Sequence, residues 1–429
     1  MITNPVTGQS PDTCNITVTA DSEQGSVSGG GKATKGMNVV VQAVENTRYS
    51  FSAWKENGSQ VATSASYQFT VAKDRDLQAT FTEKKKAGKH WQQLTSAGSY
   101  YTDVIYSSDV AAGNGWAIAG ADSTASSPTG KQYTGIYYTN ISGLTANTNM
   151  WPILNSGGSS NVAGRVSRCV FGNNVFVVLI RSAGSSHYDV QTFTTGTGQT
   201  KQNIVTHISG DSGTFHTLGY AFDKFILKGY HGKNSVDEDV VRVSSDGVTW
   251  TEYTSTPSTS AQYSGFIVAG TDRVLHIGGT TSDGLTGVDY ATKSTLSTWY
   301  HRDVTFPFRP SHTVFGNNKF ICVSTDMTQV GLSADGLNWN FSATNIQKSL
   351  GVSVQGIAYG AGKFVVTARK RSGSTRQYTN YSLWSVDGLN WEFAKFGSTA
   401  TYGGCSAPMF TNNKFLCLSG GYWYVSYDE

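Results

Sequence analysis

Nothing in this chain of 429 residues approaches the run of about 18 apolar residues that a membrane-spanning helix needs, so no membrane insertion is expected. Long helices are not expected either, because the Ala, Glu, Lys and Leu-rich stretches that build them are missing. Charge is scarce. Only 14% of residues are charged and the net charge is +3, which leaves no footprint for nucleic acid. The strongest basic run, Lys84-Lys85-Lys86 with Lys89, reads as a solvated connector. Five cysteines (Cys14, Cys169, Cys322, Cys405, Cys417) are an odd number without any Cys-x-x-Cys spacing. His-x-x-x-His, Gly-x-Ser-x-Gly and a glycine loop leading into a helix are absent too, so no metal, no cofactor and no catalytic set is expected. The start, Met1-Ile2-Thr3-Asn4-Pro5, lacks the basic and apolar segments of a signal peptide. An adhesin-like composition without that leader suits a protein that leaves the cell by lysis.

What is abundant is the material of strands and tight turns: 48 glycines against 8 prolines, 12% aromatic residues, and much Ser, Thr, Asn and Tyr. One phrase recurs, in which an apolar strand is followed by a Gly/Asn turn, then Lys-Phe and a second apolar strand. It stands at Val170 to Ile180, Tyr220 to Gly229, Val314 to Ser324, Ala358 to Ala368 and Met409 to Ser419, with weaker copies at Ala111 to Gly120 and Val268 to Gly278. Its markers Trp116, Phe176, Phe225, Leu275, Phe320, Phe364 and Phe415 are spaced by 60, 49, 50, 45, 44 and 51 residues. That period suits a four-stranded propeller blade and is too long for a hairpin. Cys322 and Cys417 occupy one position in two copies, and equivalent positions in different blades are too far apart for a disulfide, so both read as small buried hydrophobes.

A second phrase, Ser-x-Asp-Gly-x-x-Trp, is intact three times: Ser244, Asp246, Gly247 and Trp250; Ser333, Asp335, Gly336 and Trp339; Ser385, Asp387, Gly388 and Trp391. Degenerate versions end at Trp151 and Trp299. Asp bonds local backbone amides, Gly accepts positive φ, and the Trp returns to cover the strand pair. These residues resemble the Asp-box repeats of sialidase-like β-propellers over roughly residues 90–429. The box is structural and says little about function. The chain ends on Val425-Ser426-Tyr427-Asp428-Glu429, half a box without its Trp, and the missing half stands at Lys89-His90-Trp91. Trp91, Ser426 and Asp428 are therefore expected to close the ring.

Residues 15–82 differ in texture. Alternation at Ile16 to Thr19, Val39 to Ala43 and Tyr67 to Val71 marks short strands, with Gly29-Gly30-Gly31 and Asn57-Gly58 as turns and Tyr49, Phe51 and Trp54 as core. The stretch resembles the bacterial-repeat module of internalin-type B repeats, which implies a spacer or stalk. The expected organisation is all-β: an N-terminal arm 1–14, a small β-rich, β-grasp-like module 15–82, a linker 83–89, and a seven-bladed Asp-box β-propeller over 90–429.

Chemistry is sparse. Phe308-Arg309-Pro310 faintly resembles a sialidase arginine motif, but it follows Trp250 where the family pattern puts it before the first box. Asp237-Glu238-Asp239 reads as a solvated loop, with a calcium or sugar contact as the alternative. Both tight turns of each blade fall on one end of the ring, so the longer connections at the other end are the expected recognition surface. The segments 181–188, 229–239, 254–263, 369–381 and 397–404 offer Tyr188, Tyr230, His231, Tyr263, Arg371, Arg376, Tyr378 and Tyr402 as ligand contacts. The expectation is a non-enzymatic binding or structural protein of a bacteriophage particle, a receptor-binding tail protein or a capsid or fibre decoration. Its partners would be other virion proteins and a cell-surface glycan or protein receptor. A glycoside hydrolase or lyase of sialidase-like type and a secreted or cell-surface bacterial adhesin are the alternatives.

Overall fold

The computed structural model describes residues 12–46, 49–83, 91–93, 107–121, 135–141, 151–152, 164–182, 188–194, 214–233, 236–254, 265–278, 287–373, 377–400, 404–419 and 422–427. Strands dominate. Apart from one short 3-10 turn, Lys348–Leu350, no helix occurs among these residues, so none is long and apolar enough to cross a membrane. Internal contacts divide the chain into two compact units that meet in sequence at Lys86 and Ala87.

The first unit contains a five-stranded and a three-stranded sheet. In the larger sheet Thr13–Thr19 and Arg75–Glu83 run parallel side by side, flanked by Gly31–Thr34 on one side and Tyr49–Glu56 with Ser59–Ala62 on the other. The smaller sheet is an antiparallel set of Gly25–Ser28, Asn38–Glu45 and Ser66–Thr70. Alternation sends Ile16, Val41, Ala43, Leu77 and Ala79 inward around a buried Trp54, whose indole N–H donates to Ala65 O at 3.2 Å. No helix packs on either sheet among the described residues, so the module is a pair of sheets where a β-grasp would carry a helix.

The second unit is a β-propeller. Its described residues form seven sheets in chain order, called I to VII here: strands within 107–152, 164–194, 214–254, 265–303, 310–343, 353–400, and 409–427 together with Trp91–Gln93. Sheets I to VI are antiparallel meanders whose strands lie in sequence order, and sheet VII is one through its three strands within 409–427. The first strand of every sheet touches the first strand of the next, and that of sheet VII touches that of sheet I. The ring is closed at the sheet level by hydrogen bonds as well. Trp91–Gln93 is the outer strand of sheet VII, with Trp91 opposite Ser426, Gln92 opposite Val425 and Gln93 opposite Tyr424.

Why the second strand of each sheet reads as a continuous apolar run now has a physical reason: both of its faces are covered by neighbouring sheets. Phe176 and Val178 pack toward sheet I while Val177 and Leu179 pack toward sheet III. The same division holds for Phe225 and Ile226, for Phe320 and Ile321, and for Phe364 and Val365. A final core of Val110, Ala117 and Ile141 with Leu416, Leu418, Trp423 and Val425 joins sheet I to sheet VII. Seams between sheets therefore carry the hydrophobic burial.

The repeated aromatic-Gly-turn phrase acts across those seams. Asn173 and Asn174, Asn317 and Asn318, and Asn412 and Asn413 all take positive φ in tight hairpin turns. The aromatic residue before the turn pairs with the marker across the hairpin, at 4.8 Å for Phe171 with Phe176 and 4.7 Å for Tyr359 with Phe364. Its ring also lies on the glycine of the preceding sheet. A Cβ at Gly172 would sit 2.1 Å from the Tyr220 ring, and one at Gly360 would sit 2.1 Å from that of Phe410.

Candidate axial site and the loop end

In five first strands the ladder slips by one residue, between Ser107 and Asp109, Val166 and Arg168, Phe215 and Thr217, Pro310 and His312, and Val354 and Gly356. Such bulges re-aim the side chain that follows. Arg168 of sheet II crosses to sheet IV, which is not its neighbour; only a side chain spanning the axial space can do this. Its Nη2 donates to Gly265 O at 3.3 Å and its Nη1 to Ser167 O at 3.0 Å, and the guanidinium lies 4.5 Å over the Phe266 ring. Phe266 in turn meets the His312 ring of sheet V at 4.5 Å, and Thr217 Oγ1 donates to Gly265 O at 2.8 Å.

Arg168, Phe266 and His312 are partly exposed although they stand on the first strands of their sheets, which line the inside of the ring. Enclosure, reinforced by the Arg168 charge, pushes His312 down to about 3 and keeps it neutral. Asp109 is raised from the ordinary carboxylate range by burial, against the pull of Arg168 and of the backbone N–H groups of Cys169 and Val110, at 2.9 and 3.0 Å. The Arg168 Nε–H is buried with no acceptor. A buried donor left unmade costs on the order of 1–3 kcal/mol. The cluster thus joins an aromatic face, a neutral imidazole and a cation whose hydrogen bonds reach only uncharged carbonyls.

A second polar group lies in the seam between sheets III and IV. The Lys228 ammonium is 2.9 Å from Asp289 Oδ2 and 3.5 Å from Asp239 Oδ2, and Asp289 also faces His276 at 3.5 Å and His301 at 2.8 Å. Lys228, Asp239, His276 and Asp289 are all buried. Burial alone would raise Asp289, but the two histidines and Lys228 outweigh it and hold the carboxyl far below its usual range. Burial lowers His276. The seam between sheets VI and VII has a neutral counterpart: Thr367 Oγ1 donates to Ser406 O at 2.6 Å and Asn380 Nδ2 to Ser419 Oγ at 2.7 Å. Among the described residues no three of His, Cys, Asp and Glu are grouped so as to hold a metal ion.

Asp239 corrects the reading of Asp237-Glu238-Asp239 as a solvated loop: the run lies in the strand Val236–Ser244 and its last carboxylate is ion-paired in a seam. Several expected loops are also shorter than their polarity suggests, because a backbone ladder continues through polar residues as readily as apolar ones. Tyr230 and His231 stand in the strand Lys224–Lys233, opposite Asp239 and Glu238. Tyr188 begins the strand Tyr188–Thr194 opposite Arg181, and Tyr378 stands opposite Arg371. Arg369 lies 4.9 Å over the Tyr378 ring. These hairpins share the end of the ring remote from the tight turns and belong to different sheets. Tyr263, Arg376, Tyr402 and Asp428 lie outside the described residues. Phe308 serves the core, edge-on to Phe306 and Phe341, and Arg309 beside it is exposed.

The three Ser-x-Asp-Gly-x-x-Trp turns share one geometry. Ser385 Oγ donates to Asp387 Oδ1 at 2.8 Å and accepts from Gly388 N at 2.9 Å. Asp387 Oδ1 accepts from Leu389 N and Asn390 N, and the Trp391 indole N–H donates back to Gly388 O at 3.0 Å. Burial works against the carboxylate, yet these donors hold Asp387 at about 2, as they do Asp246 and Asp335. The turns also tie sheets together. Thr192 Oγ1 of sheet II donates to Gly247 O of sheet III at 2.7 Å, and Asn345 exchanges two 2.8 Å bonds with the Trp391 backbone.

Sequence reasoning missed Asp109, Arg168 and His312, since a bulge leaves no mark in a periodic pattern, and with them Phe266, whose partners Arg168 and His312 come from other sheets. Lys228 had a signal: three residues after the marker, other copies carry Leu179, Val323, Thr367 and Leu418. A lysine in the middle of a run buried on both faces needs a carboxylate in the next sheet.

No curated protein matches the chain in sequence. Among solved structures it is similar to virginiamycin B lyase from Staphylococcus aureus, with 10% identity over 79% of this chain and 98% of that one and a TM-score of 0.46. It is also similar to YCF48 from Cyanidioschyzon merolae, with 11% identity over 80% and 99% and a TM-score of 0.48. A streptogramin B lyase gives 7% identity over 79% and 97%, with a TM-score of 0.47. Residues 14–85 match the family of the divergent InlB B-repeat domain.

Proposed function

We propose that the chain is a non-enzymatic binding protein in which a seven-bladed, Asp-box type ring serves as a rigid frame and the end remote from its tight turns meets a bacterial surface glycan or protein. The observation that carries this reading is the set of hairpins at that end. Those of sheets II, III and VI set Tyr188 against Arg181, Tyr230 and His231 against Asp239 and Glu238, and Tyr378 against Arg371. Tyr has few rotamers to lose on contact, Arg offers a planar fork of donors, and both residue types are enriched in binding hot spots. The bacterial-repeat module at 14–85 supports a spacer role for the first unit. A bacteriophage particle is the carrier proposed.

The test is binding of the full chain to an immobilised panel of bacterial surface polysaccharides and to whole cells, with the double variant Arg371→Ala/Tyr378→Ala beside it. Saturable binding weakened at least tenfold in the variant is expected. Release of reducing ends from a bound polysaccharide would replace the reading with a hydrolase, and label absent from purified phage particles would remove the carrier.

A further inference from the structure

We propose that the axial channel binds one small oxyanion, a carboxylate or phosphate group, on the guanidinium of Arg168 with His312 beside it. The inference rests on where three sheets meet. Arg168 reaches past sheet III from sheet II, Phe266 stands on sheet IV and His312 on sheet V, so the site exists only in the assembled ring. The guanidinium plane is fixed by the Phe266 ring at 4.5 Å, which leaves its donors at the edge. Two of those donors reach carbonyl oxygens, at 3.0 and 3.3 Å, while Nε–H is buried without an acceptor. Carbonyls carry no full charge, and although the Asp109 carboxyl attracts the guanidinium through space, an oxyanion supplies charge and geometry together to a planar fork of this kind.

The cation has company suited to an anion. His312 Nδ1 shares a hydrogen bond with Ser311 Oγ at 3.0 Å. Asp109 is the carboxyl on the same channel, and its oxygens already accept from Cys169 N and Val110 N. Position matters as well. Phe266 and His312 lie in the first halves of Gly265–Ala269 and Pro310–Gly316, nearer the loop end than the tight turns, and Arg168 stands at the midpoint of Gly164–Gly172. An acidic sugar or a phosphodiester held at that end could reach the channel with its charged group. The site itself does not depend on the glycan reading, because a free small anion answers for the channel alone.

Inorganic phosphate followed by 31P NMR and 13C-labelled acetate followed by 13C NMR, each titrated against the full chain at matched ionic strength, test the proposal. Saturable broadening at one site per chain is expected, with at least a tenfold weaker Kd in Arg168→Gln. Binding in both arms supports a general oxyanion site; binding in one arm alone supports that group. No saturable broadening of either probe by the native protein overturns the proposal, whatever the variant does. Equal affinity in a folded Arg168→Gln overturns it too, since the anion would then sit elsewhere. Should that variant fail to fold, Arg168→Lys keeps the charge and loses the fork, and a severalfold loss is expected of it; unchanged affinity again overturns the site.

Discussion

Phe410 lies so close over Gly360 that a Cβ added there would stand 2.1 Å from the ring. The contact spans a seam, so the cost of filling it falls on the packing of sheet VI against sheet VII. Gly360→Ala is expected to lower stability by about 1–3 kcal/mol, the usual penalty of overpacking. A urea midpoint shifted down at constant m-value would show it, and an unmoved midpoint would mean that the ring yields freely. This glycine was visible in the sequence as one letter of a repeated phrase. Its purpose was not, because the aromatic residue it receives lies about fifty residues away in another copy of that phrase.

Strands and their hairpins were the most legible level. Apolar runs after each Gly/Asn turn announced second strands buried on both faces, and Asp-Gly pairs announced the turns that clasp the preceding sheet. Polar elements were less legible, since Tyr230 and Asp239 belong to a ladder that their side chains do not advertise. Histidines in two such strands set an acid limit. Burial lowers His276 on the second strand of sheet IV and lowers His312 on the first strand of sheet V to about 3. Both are neutral in folded and unfolded chains at neutral pH. Below about 6.5 the unfolded chain takes up protons that the folded one refuses, so stability falls by at most about 1.4 kcal/mol per pH unit for each histidine. For His312 the loss runs until the pH nears its folded value. Denaturation midpoints measured from pH 7 to pH 4 are expected to fall in the native protein and to fall less steeply in His312→Phe; parallel curves would remove His312 from the account. Asp289 acts in a lower range. Its depressed carboxyl contributes stability above the ordinary carboxylate pKa, which is lost only as the pH drops below it toward the folded value.

At the scale of the whole molecule the last sheet of the ring is completed by a strand of three residues, Trp91–Gln93. Trp91 stacks on Phe396 of sheet VI at 5.0 Å, and Tyr424 Oη donates to Gln93 Oε1 at 3.1 Å, so the short strand is fastened both to its own sheet and to the one before. Trp91→Ala is expected to cost about 3–5 kcal/mol and to lower the Tm of the propeller, and scanning calorimetry of the full chain would register it. An unchanged transition would show that the seam between sheets I and VII is enough to keep the ring shut. The same join also sets an order in time. During synthesis Trp91–Gln93 emerges before its partner strand Tyr422–Tyr427, which is made about 330 residues later. At about 5–20 residues per second the early strand waits some tens of seconds for a mate. Until then the chain carries an unpaired edge and an open seam. A stalled or truncated product is thereby marked as unfinished by the same surfaces that proteases and chaperones recognise.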